Sequence, residues 1–374
     1  MDRSRTTTDW TCRRRRYWAY EHNGTGIAPP TSALELYMGQ VLHDGLAAIA
    51  GQTLASGTAD IDTIATTAQK ELYRGLVQDD DYETVEFANE QSCLVEGLLR
   101  GFHRAIWPSL LARYPTIVCI EEEMVLHLYE DDDIILDFMA KPDLVLADAE
   151  GNLAYIEYKS TSSKRTEWIN AWQTAVQLHS TCRAIEAHLN QPVSHVIVQG
   201  LYKGYESYGK QTSPFCYAYY RRGTPPFSRD ETRYDYAQGF RKTPVWEQPG
   251  GVKAWVEGMP TNILGDQFPQ TPPIYPNWSL VDAFFEQRIA RELEIARGLD
   301  KLSPDVLGSV FPQTFEQCSP AWGRSCPFRM LCFGQMDPFK AGFTPRVPHH
   351  EPEAAAWAAT AQKEPENDQA EQSL

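Results

Sequence analysis

The sequence predicts a mixed α/β fold, because helical and strand-like patterns follow one another in a definite order along the chain. Apolar residues first recur at helical spacing between 33 and 106, and short β-branched or alternating segments then fill 116 to 159. A further helical segment over 167 to 189 is followed by a strand-like run at 193 to 202. Helices, hairpins, a crossover helix and another strand together predict a mixed β-sheet flanked by helices.

Each part of this pattern predicts particular elements. Three helices are expected first, over 33 to 50, within 58 to 76 and over 83 to 106. Acidic and glycine-containing turns then separate four strand candidates, which suggests an antiparallel meander. These candidates are 116–129, 134–139, 141–147 and 153–159.

The composition suggests one domain over 1–345 and a disordered tail over 346–374. The tail consists mainly of Ala, Glu, Gln and Pro, and it cannot bury enough apolar surface to order itself. Four parts make up the domain: a helical N-terminal part (31–107), an α/β core (116–202), an elaborated insertion (203–280), and a C-terminal helix with a cysteine cluster (281–335). The insertion is rich in Pro, Tyr, Gly and Arg, which is typical of extended loops.

Charge and hydropathy exclude several classes of protein. No run approaches the roughly 20 apolar residues of a membrane-spanning helix, and no apolar signal segment follows the Arg-rich start, so we expect a cytoplasmic protein. Lys and Arg number 34 against 50 Asp and Glu, and the formal charge of −16 excludes a protein that coats nucleic acid by bulk attraction. Any polyanionic partner must therefore meet a local basic patch, for which the run Arg13 to Arg16 is a candidate.

A predicted hairpin brings two carboxylates and a lysine together. If its turn is centred on Glu150, Asp143 faces Glu157 across the ladder with Cβ atoms about 5 Å apart. Lys159 follows Glu157 by two positions and therefore shares its face. The alternating apolar residues then point to the opposite side and form a supporting layer. These residues are Leu144, Leu146, Ile156 and Tyr158.

Two carboxylates this close repel each other unless a cation lies between them, and their oxygens suit Mg²⁺ or Mn²⁺. Such an ion can stabilise the charge of a phosphoryl transition state and lower the pKa of a bound water. Lys159 could then orient or help deprotonate that water. The alternative interpretation is that Asp143 and Glu157 are ordinary exposed strand residues with a salt-bridging lysine.

The order of these residues resembles a known signature. Pro142-Asp143, the triplet Glu157 to Lys159 and a downstream helical Gln177 are similar to the motif of the PD-(D/E)xK nuclease superfamily, specifically its RecB-like exonuclease branch. The resemblance implies a restriction-endonuclease-like core in which the Asp and Glu bind the metal and the Lys assists the attacking water. It also implies that a helical Gln supports the site. Gln173 competes with Gln177 for that role, because Thr181 stands where the family often has Tyr.

A second motif matches the same branch. Gly39 and His43 resemble its G-x-x-x-H helix, whose histidine completes the metal site. Helical spacing places both residues on one face, where the glycine would permit close backbone approach. Taken alone, His43 would be interpreted as a partly buried structural histidine.

Four of the eight cysteines form a third motif. Cys12 lies upstream of the helix with His43, and Cys318, Cys326 and Cys332 lie near the end of the predicted domain. This arrangement resembles the iron-sulfur RecB-like nucleases, including the AddB nuclease domain and the CRISPR-associated exonucleases, where four thiolates hold a [4Fe-4S] cluster that joins the two ends of the domain. Zn²⁺ suits the same ligands, and unrelated buried thiols are the remaining alternative.

The motifs together imply a metal-dependent DNA nuclease, a hydrolase of phosphodiester bonds in recombination, repair or replication. The resemblance implies an exonuclease that acts on single strands or free ends. It is also compatible with a helicase or recombinase as a protein partner. A second hypothesis is a weakly active or inactive nuclease-like DNA-binding module with a structural iron-sulfur or zinc site. A third is a zinc-stabilised interaction protein.

Overall fold

The computed structural model describes residues 2–30, 34–77, 82–161, 165–203, 205–207, 210–212, 215–221, 240–299, 304–318, 325–334 and 336–347. The predicted tail lies outside these residues from 348 onward. The chain divides into two compact units. The core unit consists of Ala33–Glu122 and Lys141–Trp278, and the terminal unit consists of Met1–Ser32, Glu123–Ala140 and Ser279–Leu374.

The α-helices among the described residues are α1 (Arg3–Thr11), α2 (Arg13–Arg16), α3 (Leu34–Ser56), α4 (Ile61–Leu76), α5 (Tyr82–Ala105), α6 (Trp107–Arg113), α7 (Arg165–Trp172), α8 (Val176–Leu189), α9 (Gly251–Gly258), α10 (Thr261–Gly265), α11 (Trp278–Leu299), α12 (Pro304–Val310) and α13 (Arg329–Cys332). The strands are β1 (Ile27–Ala28), β2 (Thr116–Ile120), β3 (Met124–Glu130), β4 (Ile135–Ala140), β5 (Leu144–Ala147), β6 (Leu153–Thr161), β7 (Val193–Tyr202), β8 (Tyr205–Ser207), β9 (Lys210–Thr212), β10 (Tyr217–Arg221), β11 (Phe240–Pro244) and β12 (Thr344–Pro345).

The three predicted N-terminal helices are present as α3, α4 and α5. The carboxylate of Asp60 accepts the N–H of Thr63 at 3.1 Å and so caps the start of α4. Pro108 occupies the first turn of α6, where a missing N–H costs no helical hydrogen bond. The pattern therefore breaks between α5 and α6, and a new helix begins there.

The core unit contains a mixed four-stranded sheet in the order β2-β5-β6-β7. The β2–β5 and β5–β6 pairs are antiparallel, and β6–β7 is parallel, so α7 and α8 form the crossover that a parallel pair requires. Helices flank this sheet. The predicted α/β class with a mixed sheet is confirmed, and the arrangement is consistent with a restriction-endonuclease-like fold.

The predicted meander is wrong in one respect. The segment 116–129 is not one strand, because the chain turns at Glu121, whose φ of 45° lies in the left-handed region. β2 then pairs with the later strand β5, while β3 and β4 form a two-stranded sheet of their own. This pairing places the residue that follows β2 beside the residue that precedes β5.

One face of the sheet builds the hydrophobic core of this unit. Leu144, Leu146, Ile156 and Tyr158 are all buried there, as the alternation predicted. They pack in one cluster with residues of α3 and α5, such as Leu42, Leu98 and Phe102. Full burial of such a side chain contributes about 1.5–3 kcal/mol, so this layer holds the hairpin β5–β6 firmly. The predicted insertion adds Val245, Val252 and Phe268 to the same cluster.

The terminal unit joins the two ends of the chain through its own contacts. β1 pairs antiparallel with β12, and the buried guanidinium of Arg16 binds Glu292 of α11 through two hydrogen bonds of 2.5 and 2.6 Å. Asp9 accepts from Arg288 and Arg291 of the same helix. Among the described residues of the whole chain, no helix has the length and apolar character needed to span a membrane.

Candidate metal centre and cysteine site

The hairpin that carries the predicted carboxylates has the expected register. Leu144 pairs with Ile156 and Ala147 pairs with Leu153. The carboxylate of Asp148 fixes the turn, because it accepts the backbone N–H groups of Glu150 at 3.0 Å and of Asn152 at 2.8 Å. Continuing the register by one step places Asp143 across from Glu157.

Asp143 lies immediately before β5, and its two carboxylate oxygens have different partners. Oδ2 accepts the backbone N–H of Tyr158 at 2.6 Å, and Oδ1 lies 3.1 Å from Nδ1 of His43. Burial raises the pKa of the Asp143 carboxyl above its usual value, and the negative charge of Glu157 adds to the rise. The site therefore favours a bound cation or proton.

His43 reaches this carboxylate from α3. Burial disfavours the imidazolium, but the hydrogen bond and the charge of Asp143 outweigh it and raise the pKa of His43. The explanation predicted for Gly39 is wrong, since a Cβ at that position would meet no atom of the described residues within 4 Å. The close approach on this helix is at Gly45, where an added Cβ would lie 2.6 Å from Cδ1 of Leu99 on α5.

Glu121 is a member of the site that the sequence did not single out. Ligand atoms of His43, Glu121 and Asp143 lie within 4.8 Å of one another, so these three side chains can hold a metal ion. The N–H of Glu121 donates to the carbonyl of Asp143 at 3.2 Å, and its carboxylate accepts from Nζ of Lys141 at 2.9 Å. The two carboxylates suit Mg²⁺ or Mn²⁺, and the imidazole is a ligand more typical of transition metals.

The signal that points to Glu121 is visible in the sequence only with hindsight. It is the first of three consecutive glutamates that follow a β-branched segment. Without the pairing of β2 with β5, nothing distinguishes these glutamates from a solvated acidic turn.

Glu157 and Lys159 lie side by side on β6, next to this group of three. The carboxylate of Glu157 is 3% exposed, and it contacts Nζ of Lys159 and the hydroxyl of Tyr155. The Lys159 side chain is only partly buried, so part of it is open to solvent. The structure therefore brings together four predicted residues, namely His43, Asp143, Glu157 and Lys159.

The two candidate glutamines lie near the start of α8. Gln177 is in the first turn of the helix, and its backbone carbonyl accepts the hydroxyls of Ser180 at 3.1 Å and Thr181 at 2.9 Å. Gln173 is exposed in the break between α7 and α8. Thr181, which occupies the position where the family often has a tyrosine, thus forms a hydrogen bond within its own helix.

The four cysteines of the third motif all belong to the terminal unit. Cys12 lies between α1 and α2, Cys332 ends α13, and the N–H of Cys326 donates to the carbonyl of Cys318 at 3.1 Å. Burial raises the pKa of the Cys326 thiol, and Cys12 and Cys318 lie close enough to raise it further. Burial also raises the pKa of Cys332, to about 11. Without a metal these two thiols are therefore protonated at neutral pH.

The remaining cysteines fit the simpler prediction. Cys93, Cys119, Cys182 and Cys216 are buried in the core unit and form no disulfide. Burial raises the pKa of Cys93 and Cys119 to about 12, which is typical of inert core thiols.

The arginine run is mostly engaged inside the protein. Arg16 is buried against Glu292, and Arg14 donates to the backbone carbonyl of Phe311 at 2.7 Å. Arg13 is exposed, and Arg15 is half-buried near Cys326. The run as a whole therefore does not form an exposed basic patch, and Arg13 is its one exposed member.

Comparison with known protein families agrees with this geometry. The sequence model of the PD-(D/E)XK nuclease superfamily matches residues 4–333. The chain belongs to the PD-(D/E)XK nuclease superfamily. The match includes the hairpin, His43 and all four cysteines of the third motif. Members of the PD-(D/E)XK superfamily are generally nucleases and typically use Mg²⁺ or Mn²⁺. No curated protein sequence matches the chain significantly.

Proposed function

We propose that this PD-(D/E)XK protein is a metal-dependent deoxyribonuclease that hydrolyses phosphodiester bonds at DNA ends or in single strands. The observation that carries the proposal is the convergence of His43, Glu121 and Asp143 within 4.8 Å, beside the neighbouring pair Glu157 and Lys159. Three metal-binding side chains next to a lysine have the composition of a phosphodiester hydrolysis site.

In this proposal the side chains have separate roles. His43, Asp143 and Glu121 would hold the divalent cation, and Glu157 would be a further carboxylate ligand. The bound cation supplies charge stabilisation at the phosphate and a water of lowered pKa. Lys159 would orient the attacking water, because its ammonium donates hydrogen bonds, lies against Glu157, and belongs to a side chain that is partly open to solvent. Gln177 supports the site from α8.

The finer assignment is to the RecB-like branch, acting as an exonuclease in DNA recombination, repair or replication. Its support is the Gly39–His43 motif together with the position of His43 against Asp143. A helicase or recombinase is the kind of protein partner that this assignment suggests.

We also propose that Cys12, Cys318, Cys326 and Cys332 hold a [4Fe-4S] cluster, with Zn²⁺ as the alternative. Its support is that the chain brings Cys12 into electrostatic range of cysteines about 300 residues away. Cys326 packs against a group of buried apolar side chains that includes Ile27, Phe328 and Leu331. An apolar environment of this kind limits the access of water to an iron-sulfur cluster.

Cleavage of matched linear and circular single-stranded DNA tests the proposed activity. Wild-type protein with Mn²⁺ should degrade the linear strand to short products and leave the circle intact, and excess chelator should stop the reaction. Cleavage of the circle at the same rate would contradict action at ends and indicate an endonuclease. No cleavage of either substrate would contradict the nuclease assignment and favour a DNA-binding module.

A further inference from the structure

The hydroxyl of Tyr155 binds the carboxylate of Glu157 inside the protein. Tyr155 precedes Glu157 by two positions on β6, so both side chains lie on the same face of the sheet. Tyr155 donates to Oε2 of Glu157, while Lys159 binds Oε1. The two oxygens of one carboxylate thus have different partners, one neutral and one charged.

Both side chains of this pair are shielded from solvent. Tyr155 is 2% exposed and Glu157 is 3% exposed. The backbone of Tyr155 lies between β5 and β7, opposite Val145 on one side and Val196 on the other. Tyr155 therefore lies on a central strand of the sheet, whereas the last torsion of a glutamate side chain is intrinsically broad.

We propose that Tyr155 is a positioning residue of the metal centre, which fixes Oε2 of Glu157 so that Oε1 faces Lys159 and the metal-binding group. This inference deepens the proposed function and rests on it. Without the phenol, the carboxylate can rotate and present either oxygen. Groups that orient ligands in this way typically change metal affinity or activity by 10–100-fold when they are removed.

The test is the affinity of the metal-free protein for Mn²⁺, measured by titration calorimetry. Tyr155→Phe removes the hydroxyl and keeps the ring, and it should weaken Mn²⁺ binding about 10-fold. With saturating Mn²⁺ it should also lower kcat and leave KM for DNA unchanged, because it alters the orientation of Glu157 and not the DNA surface. The matched control is Tyr114→Phe, which removes another buried phenol, 2.7 Å from Nε2 of His195, and should leave Mn²⁺ affinity unchanged.

A double-mutant cycle separates positioning from a general loss of stability. If Tyr155 acts through Glu157, Tyr155→Phe should have no further effect on Mn²⁺ affinity in a Glu157→Gln background. Wild-type affinity and kcat in Tyr155→Phe, with only a lower melting temperature, would overturn the inference. An equal loss of Mn²⁺ affinity on Tyr155→Phe in the wild-type and Glu157→Gln backgrounds would also overturn it. If wild type and Asp143→Ala bind Mn²⁺ equally, the proposed function itself fails, independently of Tyr155.

Discussion

At the scale of single residues, Glu121 shows how backbone conformation places a candidate metal ligand. A non-glycine residue with positive φ is uncommon and costs of order 1 kcal/mol or more. Here the strained conformation is held by the hydrogen bond from its N–H to Asp143 and by the ion pair with Lys141. Strain that is retained beside a group of metal ligands is typical of a functional position.

Glu121→Gln should therefore weaken Mn²⁺ binding about 10-fold while the fold is kept, because an amide replaces one of the acidic ligands. Glu122→Gln is the matched control, since the neighbouring carboxylate is exposed and lies 3.1 Å from His188. Mn²⁺ titration of both variants checks the prediction. Equal affinities in the two variants would remove Glu121 from the site.

The raised pKa of Asp143 predicts how the metal-free protein responds to pH. A carboxyl whose pKa is higher in the folded state binds more protons there than when unfolded, so its contribution to stability is lost as pH rises through that pKa. Asp143→Asn has no ionisable carboxyl at this position, so the variant does not lose this stability as the pH rises. In chelator, the variant should therefore melt at a higher temperature than wild type at neutral pH, and the difference should shrink towards acid pH. A lower melting temperature for the variant at neutral pH would contradict the assignment of a repulsive carboxylate pair.

At the scale of elements, local signals in the sequence predict well and distant pairings do not. The register of β5 and β6 follows from a short turn that Asp148 stabilises, and helices α3 to α5 follow from apolar periodicity. The pairing of β2 with β5 could not be predicted, because the β3–β4 hairpin separates the two strands along the chain. Glu121 was missed for the same reason.

The contact between α3 and α5 gives a test at this scale. Gly45→Ala would place a Cβ 2.6 Å from Leu99, which is fully buried, and should lower the free energy of unfolding by about 1–3 kcal/mol. Gly51→Ala on the same helix meets no atom within 4 Å and should raise it by up to about 1 kcal/mol. Urea unfolding of the two variants measures both values. Equal stabilities would show that the helices do not approach closely at Gly45.

At the scale of the whole molecule, the terminal unit binds the first and last described segments to each other. The buried pair of Arg16 and Glu292 contributes to this, since removing one partner of such a pair typically costs about 3–5 kcal/mol. In the chain-entropy model, a covalent link that closes a loop of 100 residues adds roughly 4.7 kcal/mol to the free energy of unfolding, and this value grows only slowly with loop length. The loop from Cys12 to the C-terminal cysteines is longer, about 300 residues. The value is an upper limit for a cluster, because cluster bonds are labile. If the four cysteines hold the proposed cluster, the unit should therefore stay folded, but less stable, when the cluster is lost.

Cys12→Ala tests this prediction. Purified without oxygen, the variant should be pale, poor in iron and sulfide, and lower in melting temperature, because one thiolate of the cluster is missing. Cys93→Ala removes a buried thiol of the core unit and should keep the brown colour. Wild-type iron and sulfide content in Cys12→Ala would contradict a role for the N-terminal segment, and zinc without sulfide in the wild type would contradict the iron-sulfur assignment.

The most direct test of the central claim is cleavage of end-labelled DNA by wild type and by three single variants, with Mn²⁺ present. Asp143→Ala, Glu157→Ala and Lys159→Ala each remove one member of the site on the hairpin. We expect wild type to cleave only when the metal is present, and each variant to lose cleavage while its circular dichroism spectrum remains that of the wild type. Full activity in Glu157→Ala, or wild-type activity in excess chelator, would contradict the account.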